Sequence, residues 1–168
     1  MTPAPVHLLS ERLLLDPGGA LFWPREGVLA LAGLGTERGA LDRLAALLRR
    51  WGPLRVLLLG AGGRSARLEA MAASVLVLRI AGEDTWRSAP LVFREGPTVG
   101  ARGKVSGHAL PCFIADGARI VLPAFGAEAG EPDLHDPAVR ALFPRGGRVF
   151  LPGRERLASF RLAGRFGP

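Results

Sequence analysis

The stretch "GVLALAGLGTERGALDRLAALLRRWGPLRVLLLGAGGRS", Gly27–Ser65, decides the fold. It opens on an unbroken apolar run, Gly27–Gly33, too short for a helix and flanked by glycines. That pattern predicts a strand buried on both faces. Gly39–Gly52 follows with Leu41, Leu44, Ala45, Leu47 and Leu48 at helical spacing. Arg49 and Arg50 fall in its last turn, and Gly52-Pro53 stops it. Arg55–Gly60 is a second apolar strand, running into "GAGGRS". Strand, helix and strand in this order imply parallel strands with the helix packed outside.

The same alternation extends downstream. Ser65–Ala73 reads as a short helix and Val75–Ile80 as another buried strand. Upstream, Arg12–Asp16 and Ala20–Trp23 flank Pro17-Gly18-Gly19, which predicts two strands around a turn. Beyond residue 80 the pattern changes. Pro90–Phe93 and Cys112–Leu122 are strand-like, the latter with Asp116-Gly117 as a two-residue hairpin turn. Asp136–Phe143 starts with an Asp cap and a proline at the first helical position. Residues 148–151 and 158–162 close the chain as strands. A parallel α/β half followed by an antiparallel half gives an α+β class: a two-sheet sandwich flanked by helices, in one domain spanning 1–168.

Composition narrows the class. A hydrophobic fraction of 48% with 22% charged residues fits a folded globular chain rather than a disordered one. No apolar run approaches the roughly 18–20 residues of a membrane span, and the N-terminus lacks a basic region followed by an apolar core. One cysteine, Cys112, excludes an intramolecular disulfide. These features together predict a cytoplasmic protein with no membrane association. The formal charge is +7, carried almost wholly by arginine because Lys104 is the only lysine. Such a balance fits a nucleic-acid partner and equally fits a GC-rich coding bias. No block of five or six like charges occurs.

The glycine loops first invite a nucleotide reading. "GLGTERG", Gly33–Gly39, is a loose G-x-G-x-x-x-G between strand and helix. A dinucleotide fold also wants an acid at the end of the next strand, to hold ribose hydroxyls. Here that strand ends Leu59-Gly60-Ala61. "GAGGRS" lacks both the third glycine and the Gly-Lys-Ser/Thr ending of a P-loop.

Two later words are more distinctive: "LPCF", Leu110–Phe113, and "VLPAFGAEAG", Val121–Gly130. With the N-terminal "ERLLLDPGGALFWPREGVLALAGLG" they resemble the ligase-associated DNA-damage-response endonuclease family of the metallophosphoesterase (calcineurin-like) superfamily. That family carries LPCF, a hairpin, then LPAFGAFTGG. The resemblance implies a two-sheet sandwich and two divalent metals, such as manganese, held in D-x-H, G-D-x-x-H, G-N-H-D and G-H-x-H loops. Such a centre needs bridging carboxylates and several neutral imidazoles to activate water and clamp a phosphoryl group.

Carried onto this chain, the motifs lose their ligands. D-x-H falls on Gly33-Leu34-Gly35. G-D-x-x-H falls on Gly60–Arg64, with Ala61 for the aspartate and Arg64 for the histidine. G-N-H-D falls within "RIAGED", Arg79–Asp84, which has no Asn-His pair. G-H-x-H falls on Gly100–Gly103, with Ala101 and Gly103 at the histidine positions. The chain has three histidines in all, His7, His108 and His135, and only His108 is near a motif. Glu83, Asp84 and Asp116 read as loop and turn residues.

The expectation is therefore a catalytically inactive metallophosphoesterase-like protein with neither metal nor other cofactor. Its role would be binding or scaffolding beside nucleic acid or DNA-repair proteins, with homo-oligomerisation left open. Arg38, Arg64, Arg102 and Lys104 are the candidate phosphate contacts, because arginine forks bind phosphate without metal. Two alternatives stay open: an active phosphoesterase or nuclease with a non-standard site, and a nucleotide-binding protein. Cys112 as a nucleophile would need a base, and only His108 is close in sequence; its simpler role is packing inside a strand.

Overall fold

A computed structural model of the chain describes residues 2–60, 66–95, 104–107, 112–126, 134, 137–152 and 155–164, with backbone only at 72, 104–107 and 138. The first sheet holds six strands in chain order: β1 (Ala4–Leu8), β2 (Glu11–Leu15), β3 (Leu21–Trp23), β4 (Val28–Ala32), β5 (Arg55–Leu59) and β6 (Leu76–Ile80). β1 to β4 run antiparallel through short turns. β4, β5 and β6 are parallel. Parallel neighbours require crossovers, supplied by helices α1 (Arg38–Trp51) and α2 (Ala66–Ala72). α1 buries Ala40, Leu41, Leu44 and Leu47, the stripe its sequence spacing predicts. It ends on Gly52, whose left-handed conformation lets its N–H reach the Leu48 carbonyl.

The second sheet runs β13-β12-β10-β11-β9-β8-β7 across its width. Its strands are β7 (Thr85–Ser88), β8 (Leu91–Arg94), β9 (Lys104–Gly107), β10 (Phe113–Ala115), β11 (Arg119–Leu122), β12 (Gly147–Leu151) and β13 (Ala158–Leu162). β8, β9 and β11 are mutually parallel, and the other pairings are antiparallel. The sheets face each other over one apolar layer that includes Leu13, Leu15, Trp23 and Leu57 from the first and Phe93, Phe113, Leu122 and Phe150 from the second. α1 and α2 cover the outside of the first sheet. The short α3 (Pro137–Leu142) covers the second over Ile114, Val121 and Val149. The α+β sandwich with flanking helices is thus the architecture the sequence predicts.

Three local expectations change. The Val75–Ile80 run reads as a buried strand, yet β6 is the open edge of its sheet, and of its five residues only Ile80 is buried. The hairpin turn is centred on Gly117-Ala118, not Asp116-Gly117. Asp116 donates its N–H to the Arg119 carbonyl (3.0 Å), and its Oδ1 accepts the N–H groups of Ala118 and Arg119 (both 2.7 Å). The carboxylate builds the turn from just outside it. β1, β7 and β9 are short strands that periodicity does not reveal.

Two features hold the fold locally. Asp16, 1% exposed, ends β2 beneath the C-terminus of α1. Its carboxylate accepts hydrogen bonds from the Gly18 N–H (2.7 Å) and Trp51 Nε1 (3.0 Å), and pairs with the Arg50 guanidinium (3.2 Å). The N-terminal hairpin and the long helix are thereby pinned through one buried charge. At the other end of the molecule Gly146, at φ +79°, enters β12 against the backbone leaving β13. A side chain there would have its Cβ 2.3 Å from the Leu162 carbonyl oxygen.

Candidate functional site

The parallel strands of both sheets deliver their carboxyl ends to one edge. β4 continues into Gly33, whose N–H donates to the Leu59 carbonyl at the end of β5 (3.0 Å). Gly60 then donates to the Ile80 carbonyl at the end of β6 (2.7 Å). The end of β11 crosses from the second sheet to meet them. Phe125 donates to the Ala32 carbonyl (2.7 Å), Gly126 donates to the Gly33 carbonyl (3.1 Å), and Ala32 and Ala124 form a parallel bridge. The two sheets are therefore seamed by main chain where D-x-H and LPAFG map. Arg43 of α1 fastens the same loop, donating to the Phe125 carbonyl with its guanidinium 5.1 Å from that ring's centre.

Among the described residues, Glu37 and Glu95 fold their carboxylates over the glycines of this edge. Glu37 is the N-cap residue of α1, but its side chain makes no cap bond. It turns back over the loop: a Cβ at Gly35 would lie 1.9 Å from Glu37 Oε2, and a Cβ at Gly126 would lie 3.3 Å from Oε1. The space belonging to a side chain at position 35 is filled by Glu37. Glu95, directly after β8, plays the corresponding part on the other side. It accepts a hydrogen bond from the Gly82 N–H, and its Oε1 lies 3.3 Å from the Cβ position of Gly60.

The mapped positions separate accordingly. Gly33, Gly35, Gly60 and the turn Ala81–Asp84 come together at this edge. Among the described residues, nothing comes closer to the Cβ position of Gly33, at φ +60°, than Ala124 at 3.8 Å. Arg38, exposed in the first turn of α1, follows Glu37 on the same rim. Ala61 and Arg64, like Ala101, Arg102 and Gly103, lie outside the described residues. Lys104 does not join the rim. It opens β9 opposite Arg119, whereas the rim lies at the Gly107–Leu122 end of that pairing. A residue at the start of a parallel strand stands at the edge opposite the strand's carboxyl end, which corrects its place among the phosphate contacts at this mouth. The strand end that reaches Gly60 is that of β8, carrying Glu95. β9 also brings Gly107 to this edge; the His108 that follows, and His135, lie outside the described residues.

This architecture has a solved counterpart. The chain is similar to the crystal structure of Pseudomonas putida nuclease MPE, with a TM-score of 0.73 and 22% identity over 95% of this chain and 100% of that one. At that identity the likeness establishes the fold. No protein-family model matches the chain, and no curated protein matches it.

Among the described residues, the donors at the edge do not make up a two-metal centre. Such a centre needs several imidazoles beside its carboxylates. Glycines 33 and 35 offer no side-chain donor. His7, the one imidazole among the described residues, is exposed on β1, with β2 and β3 between it and β4. Among the described residues no group of three His, Cys, Asp or Glu side chains is placed to hold a metal. Nor is Cys112 placed to act as a nucleophile at this edge. Cys112 is fully buried beside Ile114, Val139 and Phe143, and burial pushes its thiol up to about 11. Native protein at pH 8 is expected to resist 5,5′-dithiobis(2-nitrobenzoate), reacting only after denaturation; rapid labelling of the native state would contradict this placement. The linkage has a definite sign. Between pH 9 and about 11 the unfolded chain loses its thiol proton while the folded chain keeps it, so this contribution to stability declines with rising pH across that window. Nothing in the sequence patterning singles out Glu37, Glu95 or Arg43. The nearest thing to a signal is the place of Glu95, one residue beyond an apolar strand.

Proposed function

We propose that this chain is a metallophosphoesterase-fold protein that does not carry out two-metal hydrolysis and acts as a binding or scaffolding protein in nucleic-acid metabolism, DNA repair included. One observation carries the first half: the Glu37 carboxylate stands in the space a metal ligand at position 35 would need. A ligand there would first have to displace a charged side chain. The nuclease neighbour, the LPCF and LPAFG words and the basic composition support the second half.

A second reading has its own observation, since Glu37 and Glu95 put two carboxylates on one edge. An active phosphoesterase with a non-standard centre would use them. One experiment separates the two. Purified protein is dialysed against manganese, its bound metal measured, and turnover of bis-p-nitrophenyl phosphate and plasmid DNA followed. Sub-stoichiometric metal and no manganese-dependent cleavage are expected. Stoichiometric metal with cleavage abolished in Glu37→Gln or Glu95→Gln would establish the second reading instead.

A further inference from the structure

The chain's positive charge is unevenly placed. Residues 137–168 carry seven arginines against a single acid, Glu155, and so hold +6 of the total +7. The preceding 136 residues are nearly balanced. Most of the described part of this segment is the hairpin β12–β13, on the flank of the second sheet furthest from β7 and β8.

Within the hairpin, Arg148 and Arg161 stand directly opposite each other across the two strands. Both are exposed. Strand alternation puts them on the same face as Phe150, two residues along from Arg148. Arg145, also exposed, lies in the turn before β12, with its backbone packed against Gly164 just beyond β13. Three guanidinium groups therefore share one end of the hairpin. Among the described residues none of the three pairs with a carboxylate. Glu155 sits toward the other end, where its carbonyl receives the Thr2 N–H. Lys104, at the start of β9, stands at this same edge of the sheet, three strands from β12.

Like charges directly opposite on neighbouring strands destabilise a sheet. Charges also serve to keep open edges from pairing, and Arg161 on β13 would suffice for that. Arg148 is on β12, which is paired on both sides and needs no such protection. A doublet that costs stability and is not required at the edge is what an external polyanion would compensate. We infer that this end of the hairpin, centred on Arg145, Arg148 and Arg161, binds the phosphate backbone of a nucleic acid, independently of base sequence. The inference rests on the nucleic-acid half of the proposed function but not on the mouth: the register puts Arg148 and Arg161 toward the opposite edge from Gly33 and Gly126.

The test is fluorescence anisotropy with labelled single-stranded and duplex oligonucleotides over a salt series. It compares the wild type with Arg148→Gln/Arg161→Gln and with a charge-matched control, Arg49→Gln/Arg87→Gln, whose arginines are exposed on α1 and on β7 at the far side of the second sheet. The hairpin variant is expected to bind about tenfold or more weakly, and its salt slope to fall by about 2, one for each arginine removed from a phosphate. The charge-matched control is expected to bind within about twofold of the wild type. Removing the like-charge doublet should leave the melting temperature equal or higher, which separates weakened phosphate binding from impaired folding. Unchanged binding in the hairpin variant overturns the inference and leaves the proposed function standing. A wild type that binds neither oligonucleotide overturns both. Competition by polyglutamate as strong as by DNA overturns the choice of a nucleic acid as the occupant.

Discussion

Asp16→Ala is expected to destabilise the protein by about 3 kcal/mol. Three donors meet on this one carboxylate: the Gly18 N–H, Trp51 Nε1 and the Arg50 guanidinium. Arg50 is partly exposed and regains water when its partner goes, so its loss costs little. The Gly18 N–H and the indole N–H are less able to, and an unmet buried donor costs about 1–3 kcal/mol. For a chain of this size the change amounts to a fall in melting temperature of about 6–12 °C. Asp16→Asn keeps an acceptor but not the charge and should lie between wild type and alanine. The effect reaches the site through α1: a helix released at its C-terminal end also holds the LPAFG loop through Arg43. A melting temperature for Asp16→Ala within 2 °C of wild type, about 1 kcal/mol or less, would show that the buried carboxylate does not pin the helix.

Gly146→Ala should cost about as much by a different physical route. Its φ of +79° lies where an L side chain is unfavourable by roughly 1–2 kcal/mol. The added Cβ would also meet the Leu162 oxygen at 2.3 Å and the Gly164 nitrogen at 2.9 Å. Both neighbours are backbone atoms, so no side chain can swing away, and overpacking adds about 1–3 kcal/mol. A total of about 3–4 kcal/mol is expected from thermal or denaturant unfolding. Gly52→Ala supplies the control. Gly52 is also left-handed, at φ +53°, but nothing lies within 4 Å of its Cβ position, so only the conformational cost of about 1 kcal/mol remains. Equal losses in the two variants would show that the crowding at Gly146 contributes nothing.

What the sequence reveals follows from how far each signal reaches. Gly27–Gly60 is legible because its apolar runs and helical stripe are long, and a long period fixes both element type and packing face. β6 misleads because apolar content reports strand character without saying whether a neighbour covers it. The Asp116 turn slips by one residue because an aspartate that caps a turn and one that sits inside it look alike in one dimension. At the site, the glycines and alanines at the mapped positions are legible by residue type alone, since neither offers a side-chain donor. The replacement of that space by Glu37 is not legible, because it depends on a side chain folding back over two residues and on Gly126, about ninety positions away. Lys104 is misplaced for a related reason: a residue before a strand and one after it lie at opposite edges, and sequence proximity to a motif does not say which.

The main-chain seam at Ala32–Ala124 has one more implication. Its bonds join N–H and carbonyl groups of Ala32, Gly33, Phe125 and Gly126, groups common to every residue except proline at the donor positions. The edge keeps its main-chain path without reference to what its side chains are. Chemistry at such an edge can drift, losing ligands or exchanging them for other groups, while the architecture that presents it stays intact. Shape and reactivity are encoded here in separable parts of the same loop.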